Sequence, residues 1–313
     1  MDLNQAILLT RQKQIEYQKT VIKISVLFAL FVCLIFFAWS FASTTVVKII
    51  IGTICGIVFI VSCLYFLYVL LNSENDYLLF YKDVFVKTAI TDLELNLKYE
   101  HWEGVKQSEF KKVGIFRRVN IKGEDQISGE LYGIKFYFSE AKNINNSYLC
   151  AENMLLFALS IAAIIYERFA NDNFSGSVLI CELNKEFEDQ IIIVNQELAA
   201  ERFSDKRSVD NIDFAGEFCV FTEDETKARD FLTYSFMKRL SALMQNLNDK
   251  FSLCAAFVDD KFYLFLNDSS DKFQTSIFSK SVSVKKAHNI QAQIRDILDI
   301  IKELNLMINK EKR

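Results

Sequence analysis

Residues 24–47 and 49–73 carry no charged side chain, and only Lys48 stands between them. Each run exceeds the roughly 20 apolar residues that cross a hydrocarbon core, so the pattern predicts spans over 24–45 and 49–71. The short polar centre Ser43–Thr45 between them predicts an antiparallel transmembrane hairpin, in which both helices satisfy their own backbone groups in lipid. The first run is longer than a signal-peptide core and a second span follows at once, which argues against a cleaved leader. Arg11, Lys13, Lys19 and Lys23 precede the first span, and Lys82 and Lys87 follow the second. The positive-inside rule then places both termini in the cytoplasm. Trp39, Tyr65 and Tyr68 lie near span ends, where aromatic belts form. Ala38 with Ala42, and Gly52 with Gly56, are small residues four apart at similar depth, and they are the expected packing positions inside the hairpin.

Beyond residue 72 the periodicity changes element by element. Tyr77, Phe80, Val84 and Ala89 recur at helical spacing, so the second span is expected to continue as a helical linker over 74–97. Ile134, Phe136 and Phe138 alternate with Lys135, Tyr137 and Ser139, which predicts a β-hairpin over 127–140. Further strand-like runs cover 176–183, 190–194, 216–222, 252–258 and 261–266, with Asp259-Asp260 expected to turn the last two into a hairpin. Two helices are expected, one over 224–247 with its stripe on Ala228, Leu232, Phe236 and Leu240, the other over 286–308 on Ile290, Ile294, Ile297 and Ile301. Strands and helices mixed in this way predict an α+β fold of mainly antiparallel strands packed with long helices. The chain divides into a basic N-terminal helix (1–23), the hairpin (24–71) and a cytoplasmic domain (72–313). The uncharged run 154–166 is short for a span and is read as a core or interfacial helix, with a third span as its alternative.

Composition narrows the chemistry. Proline is absent and glycine scarce at 9, which excludes collagen-like and proline-rich segments and any proline kink in the spans. Only five of the 36 basic residues and two of the 40 acidic ones precede residue 72, so the rest of the chain carries a net charge of −7. That charge disfavours nucleic acid and anionic lipid surfaces as partners. Neither span contains Asp, Glu, Lys, Arg or His, and so neither offers a relay for ions or protons. Seven cysteines show no CxxC pair, and the two histidines, His101 and His288, lie far apart, so no metal, no cofactor and no catalytic set is expected. Cys150, Cys181, Cys219 and Cys254 read as reduced thiols.

The stretch ISGELYGIKFYFSE, with Ser128, Gly129, Gly133, Phe136, Phe138, Ser139 and Glu140, resembles the bacterial membrane proteins grouped as domain of unknown function 3137. Leu183-Asn184-Lys185-Glu186-Phe187 is similar to a turn of that family. So is the block 222–240, through Asp224, Ala228, Arg229, Leu232, Thr233, Met237 and Leu240. Tyr234 stands where the family often has proline. The resemblance implies two spans and a cytoplasmic domain, and no activity. The expected protein is therefore a multi-pass inner-membrane protein whose partners are the lipid bilayer and a protein or a second copy of itself. The alternatives are a membrane-tethered enzyme using Glu140 and Asp224 with Arg229, and a lipid-surface sensor using 154–166.

Overall fold

A computed structural model describes residues 1–40, 45–116, 120–143, 174–202, 217–245, 252–267, 273–280 and 282–311; the segment 154–166 and Cys150 lie outside them. The described residues form an α+β structure in two compact units. One comprises Met1–Thr88 with Gln274–Lys286, the other the described parts of Ala89–Ile144, Ala170–Phe273 and Ala287–Arg313.

The first unit is built on two long helices, α1 (Leu3–Ser40) and α2 (Thr45–Tyr81). They run antiparallel, since Tyr17 meets Tyr77 near one end while Phe28 stacks on Phe66 and Phe59 further along. The segments Leu3–Ile35 and Gly52–Thr91 are long and apolar enough to cross a membrane. Leu30, Leu34, Ile57 and Ile60 are each more than half exposed, the all-round apolarity that suits a lipid environment rather than water. At about 1.5 Å per residue, helices of 38 and 37 residues reach about 55–57 Å, nearly twice an about 30 Å hydrocarbon core. The surplus lies at the N-terminal end of α1 and the C-terminal end of α2, where Ala6, Thr10, Gln14, Val21, Tyr77, Tyr81 and Phe85 are buried.

The segment 274–280 is latched to α1 by side-chain amides. Gln14 Nε2 donates to the carbonyls of Ser276 (3.3 Å), Ile277 (2.9 Å) and Ser279 (2.6 Å), and Gln18 Nε2 donates to Ile277 O (2.5 Å). Arg11 Nε donates to Val282 O (3.0 Å). Ile277 is fully buried against Val21 and Tyr77, so apolar packing and the amide bonds hold the same turn.

After α2 the helix widens into a π turn (Lys82–Val86) and ends as α3 (Lys87–Thr91), short of the expected residue 97. Leu93 and Glu94 donate back to the carbonyls of Ile90 and Thr91, and Glu94 takes the left-handed conformation (φ 56°) that closes helices.

The second unit is organised around a six-stranded antiparallel sheet. Its strands are β1 (Lys98–Glu100), β2 (Ile121–Leu131), β3 (Ile134–Asn143), β4 (Ser175–Asn195), β5 (Phe218–Phe221) and β6 (Ser252–Asn267). The expected hairpin is present as β2–β3, with Leu131 opposite Ile134. Its two-residue turn, Tyr132-Gly133, has φ values of 53° and 77°, the positive pair that suits the twist of the flanking strands. Strand β4 pairs β3 through Ser175–Glu182, β5 through its last four residues, and β6 along both halves. The helix α4 (Gln107–Val113) covers one face through Phe110, and Tyr263 of β6 donates to Glu109 of that helix at 2.7 Å. Phe110, Phe116, Phe174 and Phe265 fill that face edge to face.

Two expectations about strands change. The runs 176–183 and 190–194 are one strand, and 252–258 and 261–266 are also one strand, not a hairpin. A two-residue hairpin turn of the favoured type needs positive φ at both central residues, and here only Asp259 has it (φ 54°). Asp259 instead reverses the alternation of β6: Cys254 and Ala256 face the same core as Tyr263 and Phe265. A single residue added to a strand flips every later side chain, which is what a bulge does.

The expected helix over 224–247 is two helices, α6 (Glu225–Phe231) and α7 (Tyr234–Gln245), with α5 (Gln196–Arg202) following β4. Leu232 leaves the helical region (φ −73°, ψ 107°), and the Thr233 hydroxyl accepts from Phe236 N–H at 3.4 Å to start α7. Tyr234 is thus the first residue of a helix, the position that proline favours. The last helix, α8 (Val284–Glu311), contains the whole expected stripe. Arg239 of α7 reaches Asp296 (3.3 Å) and Asp299 (2.6 Å) of α8.

Candidate functional site

The site grows from a mismatch between β4 and β6. From Glu182, opposite Lys261, to Ile191, opposite Phe257, β4 advances nine positions while β6 advances four. The surplus chain arches away from the sheet. Burial records it: 176–181 and 191–195 are buried without interruption, whereas Glu182, Asn184, Glu186 and Glu188 are exposed.

This arch and α6 enclose a cleft of about 450 Å³. One wall is aromatic. Phe187 of the arch and Phe231 of α6 meet at 5.0 Å, and both contact Phe257 of β6, at 5.2 and 5.0 Å. Lys185 Nζ lies over both outer rings, 4.5 Å from the Phe231 centroid and 4.9 Å from that of Phe187, within the reach of a cation–π attraction. The rest of the lining is mostly anionic: Glu186, Glu188, Asp189, Asp224 and Asp230, against Lys185 and Lys227. Lys227 is already engaged, with Nζ 3.1 Å from Glu188 and 3.5 Å from Asp224. Thr222 also lines the cleft, and its Oγ1 is buried without a hydrogen-bond partner.

Asp224 fixes one rim. It is the N-cap of α6, accepting from Lys227 N–H at 3.0 Å. That backbone hydrogen bond first, then the Lys227 ammonium, holds its carboxyl below the ordinary value. A carboxylate depressed in the folded state stabilises fully above its unfolded pKa, near 3.9, and this contribution is lost as pH falls through the folded value. Asp224→Asn keeps a capping oxygen but does not titrate, so its melting temperature is expected to fall less between pH 5 and pH 3 than that of the parent protein. Asp224→Ala removes the cap and is expected to lower the melting temperature by about 2–4 °C at pH 7. Equal acid sensitivity of Asp224→Asn and the parent would refute this role.

The residues of the enzyme alternative are committed elsewhere. Asp224 bonds Lys227, Arg229 pairs with Glu225 at 3.7 Å on its own helix, and buried Glu140 sits in the β2–β3 ladder opposite Glu124. His101 lies edge-on to Trp102 after β1, and His288 is exposed on α8. Cys181 and Cys254 are fully buried in β4 and β6, and burial pushes both thiols up. Among the described residues, no group of three or more His, Cys, Asp or Glu could hold a metal ion. Of the small residues expected to pack within the hairpin, Gly52 is half-buried on α2 and Gly56 is exposed with open space where a Cβ would stand. Ala38 lies on α1, and Ala42 falls outside the described residues.

Lys185, Phe187 and Phe231 were not expected to form a site. Their signal was indirect: the blocks 183–187 and 222–240, each carrying a family motif, supply the two sides of the cleft.

No curated protein matches the chain. A crystal structure of the mycobacterial trehalose monomycolate transport factor A, TtfA, shares 10% identity over 71% of this chain and 91% of its own, with a TM-score of 0.36, too slight a likeness to inform fold or function. Residues 172–306, which include the cleft and the blocks 183–187 and 222–240, match the family model of DUF3137, described as a protein of unknown function; this is the family that the sequence motifs resemble, although the block 127–140 lies outside the matched range.

Proposed function

We propose that this is a multi-pass protein of the bacterial inner membrane with both termini in the cytoplasm. Its hairpin anchors a cytoplasmic domain, residues 72–313, that docks a protein partner. The carrying observation is the cleft between the β4 arch and α6, a concave site with an aromatic wall and convergent charges. Clefts of this size and make-up are binding sites by default. The two apolar helices and the basic residues before and after them support the anchor and its orientation. Self-assembly is the second reading, supported by the open face of Gly56, with Gly52, Ala38 and Ala42 as the packing positions.

The experiment uses intact cells. With the native cysteines replaced, Ser40→Cys is expected to react with an impermeant thiol reagent from outside, and Lys98→Cys only after lysis. A photo-crosslinking residue at the exposed Glu186 is expected to give a discrete adduct that the same residue at the exposed Tyr132 does not. Labelling of Lys98→Cys from outside refutes the topology, and identical adduct patterns at both positions refute docking at the cleft.

A further inference from the structure

We infer that the cleft recognises a basic side chain, an arginine in an extended segment of the partner protein, and that Lys185 occupies the place of that side chain in the free protein. This rests on the docking reading and adds the chemistry of the ligand. The first observation is that a cation is already seated there: the Lys185 ammonium lies over Phe231 and Phe187, 4.5 and 4.9 Å from the ring centroids. Aromatic faces attract cations through the ring quadrupole, and a guanidinium does so while also stacking flat on the ring.

The second observation is charge. Five carboxylates line the cleft against two lysines, and Lys227 is bound to Glu188 and Asp224, so an entering anion would meet unbalanced negative charge and an entering cation would relieve it. The third is Thr222, whose buried Oγ1 makes no hydrogen bond. A guanidinium carries five N–H donors in a fixed fork, and that hydroxyl and the carboxylates of Asp189 and Asp230 line the same cleft as the two rings. An ammonium presents three donors from a point charge and cannot stack. Lys185 is therefore the weaker occupant of the ring faces, displaced from them when arginine enters.

The internal occupant fixes the sign of the test. The full-length protein in detergent is titrated with an acetylated peptide containing two arginines, with the same peptide carrying neutral citrulline, with an acidic peptide and with spermidine. The arginine peptide is expected to bind, and citrulline to weaken it at least about tenfold. Lys185→Ala removes the competitor and is expected to tighten binding by about threefold to tenfold. Asp230→Asn, at an exposed position, is expected to weaken it by about threefold to tenfold. Asp230→Asn should keep the parent melting temperature within about 2 °C, because its position is exposed, and Lys185→Ala, which loses the contacts with both rings, should lower it by no more than about 4 °C. Unchanged or weaker binding by Lys185→Ala overturns the inference, and so does a preference for the acidic peptide. Spermidine binding as tightly as the peptide, with the same response to Lys185→Ala, overturns the peptide ligand in favour of a free polyamine. Adducts specific to Glu186 without arginine-peptide binding would refute the ligand class and leave docking standing; absence of both refutes docking itself.

Discussion

Gly176→Ala is expected to break the sheet where its central strand β4 begins against the end of β6. Gly176 is buried in β4, directly opposite Ala141 of β3, and an added Cβ would fall within bonding distance of the Leu266 carbonyl oxygen of β6, with Leu266 C at 2.9 Å. The obstacle is backbone on a paired strand, so no rotamer change relieves it. Moving β6 away breaks the ladder that continues through Ser177↔Leu266 and Val178↔Phe265. The expected cost is about 4 kcal/mol or more, the range reserved for backbone clash and strain inside a core. That is a large share of the roughly 5–15 kcal/mol that stabilises a domain. Two other glycines give the scale. Gly129→Ala meets first the Leu97 Cδ2 methyl at 2.9 Å, the end of a flexible side chain, and is expected to cost about 1 kcal/mol. Gly133→Ala has open space around it but a φ of 77°, and should cost about 1–2 kcal/mol. Urea unfolding followed by tryptophan fluorescence ranks the three. Gly176→Ala no worse than Gly129→Ala would mean that β4 and β6 do not pack as described.

Gln14→Glu is the second large effect, and its size should depend on pH. The Gln14 amide gives its donors to three carbonyls of the segment 274–280, and no other side chain of α1 does more to hold that turn. Leucine in its place removes the Gln14 donor from Ser279 O and leaves Ile277 O to Gln18 and Ser276 O to Ser279, at a site where Gln14 is 8% exposed, a loss of about 1–3 kcal/mol. Glutamate is worse, because an ionised carboxylate has only acceptors to turn toward carbonyl oxygens. About 3 kcal/mol or more is expected at pH 7. The glutamate must protonate to donate, so its pKa rises on folding; part of the lost stability returns as pH falls through that raised folded value, and the recovery is complete below the unfolded value near 4.3. Hydrogen exchange at Phe278 and Ser279 reads the effect locally, with protection falling from the parent to Gln14→Leu to Gln14→Glu. Equal protection in all three would show that apolar burial of Ile277 alone holds the turn.

What could be read from the sequence followed from how local each signal is. The β2–β3 hairpin was legible because alternation and turn chemistry agree within 15 residues, Tyr132-Gly133 supplying the positive φ pair. The last helix was legible because its isoleucine stripe is unbroken. The break between α6 and α7 was hidden for the same reason in reverse. Ala228, Leu232, Phe236 and Leu240 keep a spacing of four across it, and all four are buried on both sides of a residue that leaves the helix. Strand β6 was misread because an acidic pair between apolar runs looks like a turn, and only the register with β4 shows that Asp259 is a bulge. The cleft could not be read at all. Lys185 and Phe231 are brought together by the arch of β4, and an arch is visible only as a difference in length between paired strands. The latch at Gln14 fails for the same reason, joining residues 263 positions apart through a polar side chain with no pattern of its own.

The pairing of β4 with β6 also sets a clock during synthesis. Ser175 N–H is bonded to the Asn267 side chain, 92 residues later in the chain. A ribosome adding about 5–20 residues per second takes about 5–18 s to deliver that partner. Through that interval β4, rich in isoleucine and valine and buried on both faces over 176–181 and 191–195 in the finished sheet, has one edge with nothing to pair. Such an edge templates contacts between nascent chains. With no proline in the sequence, no prolyl isomerisation lengthens the wait once β6 has emerged. Productive folding of this domain is thus a race decided by translation speed over residues 196–252. Slower codons there should lower the yield of folded protein without altering its stability.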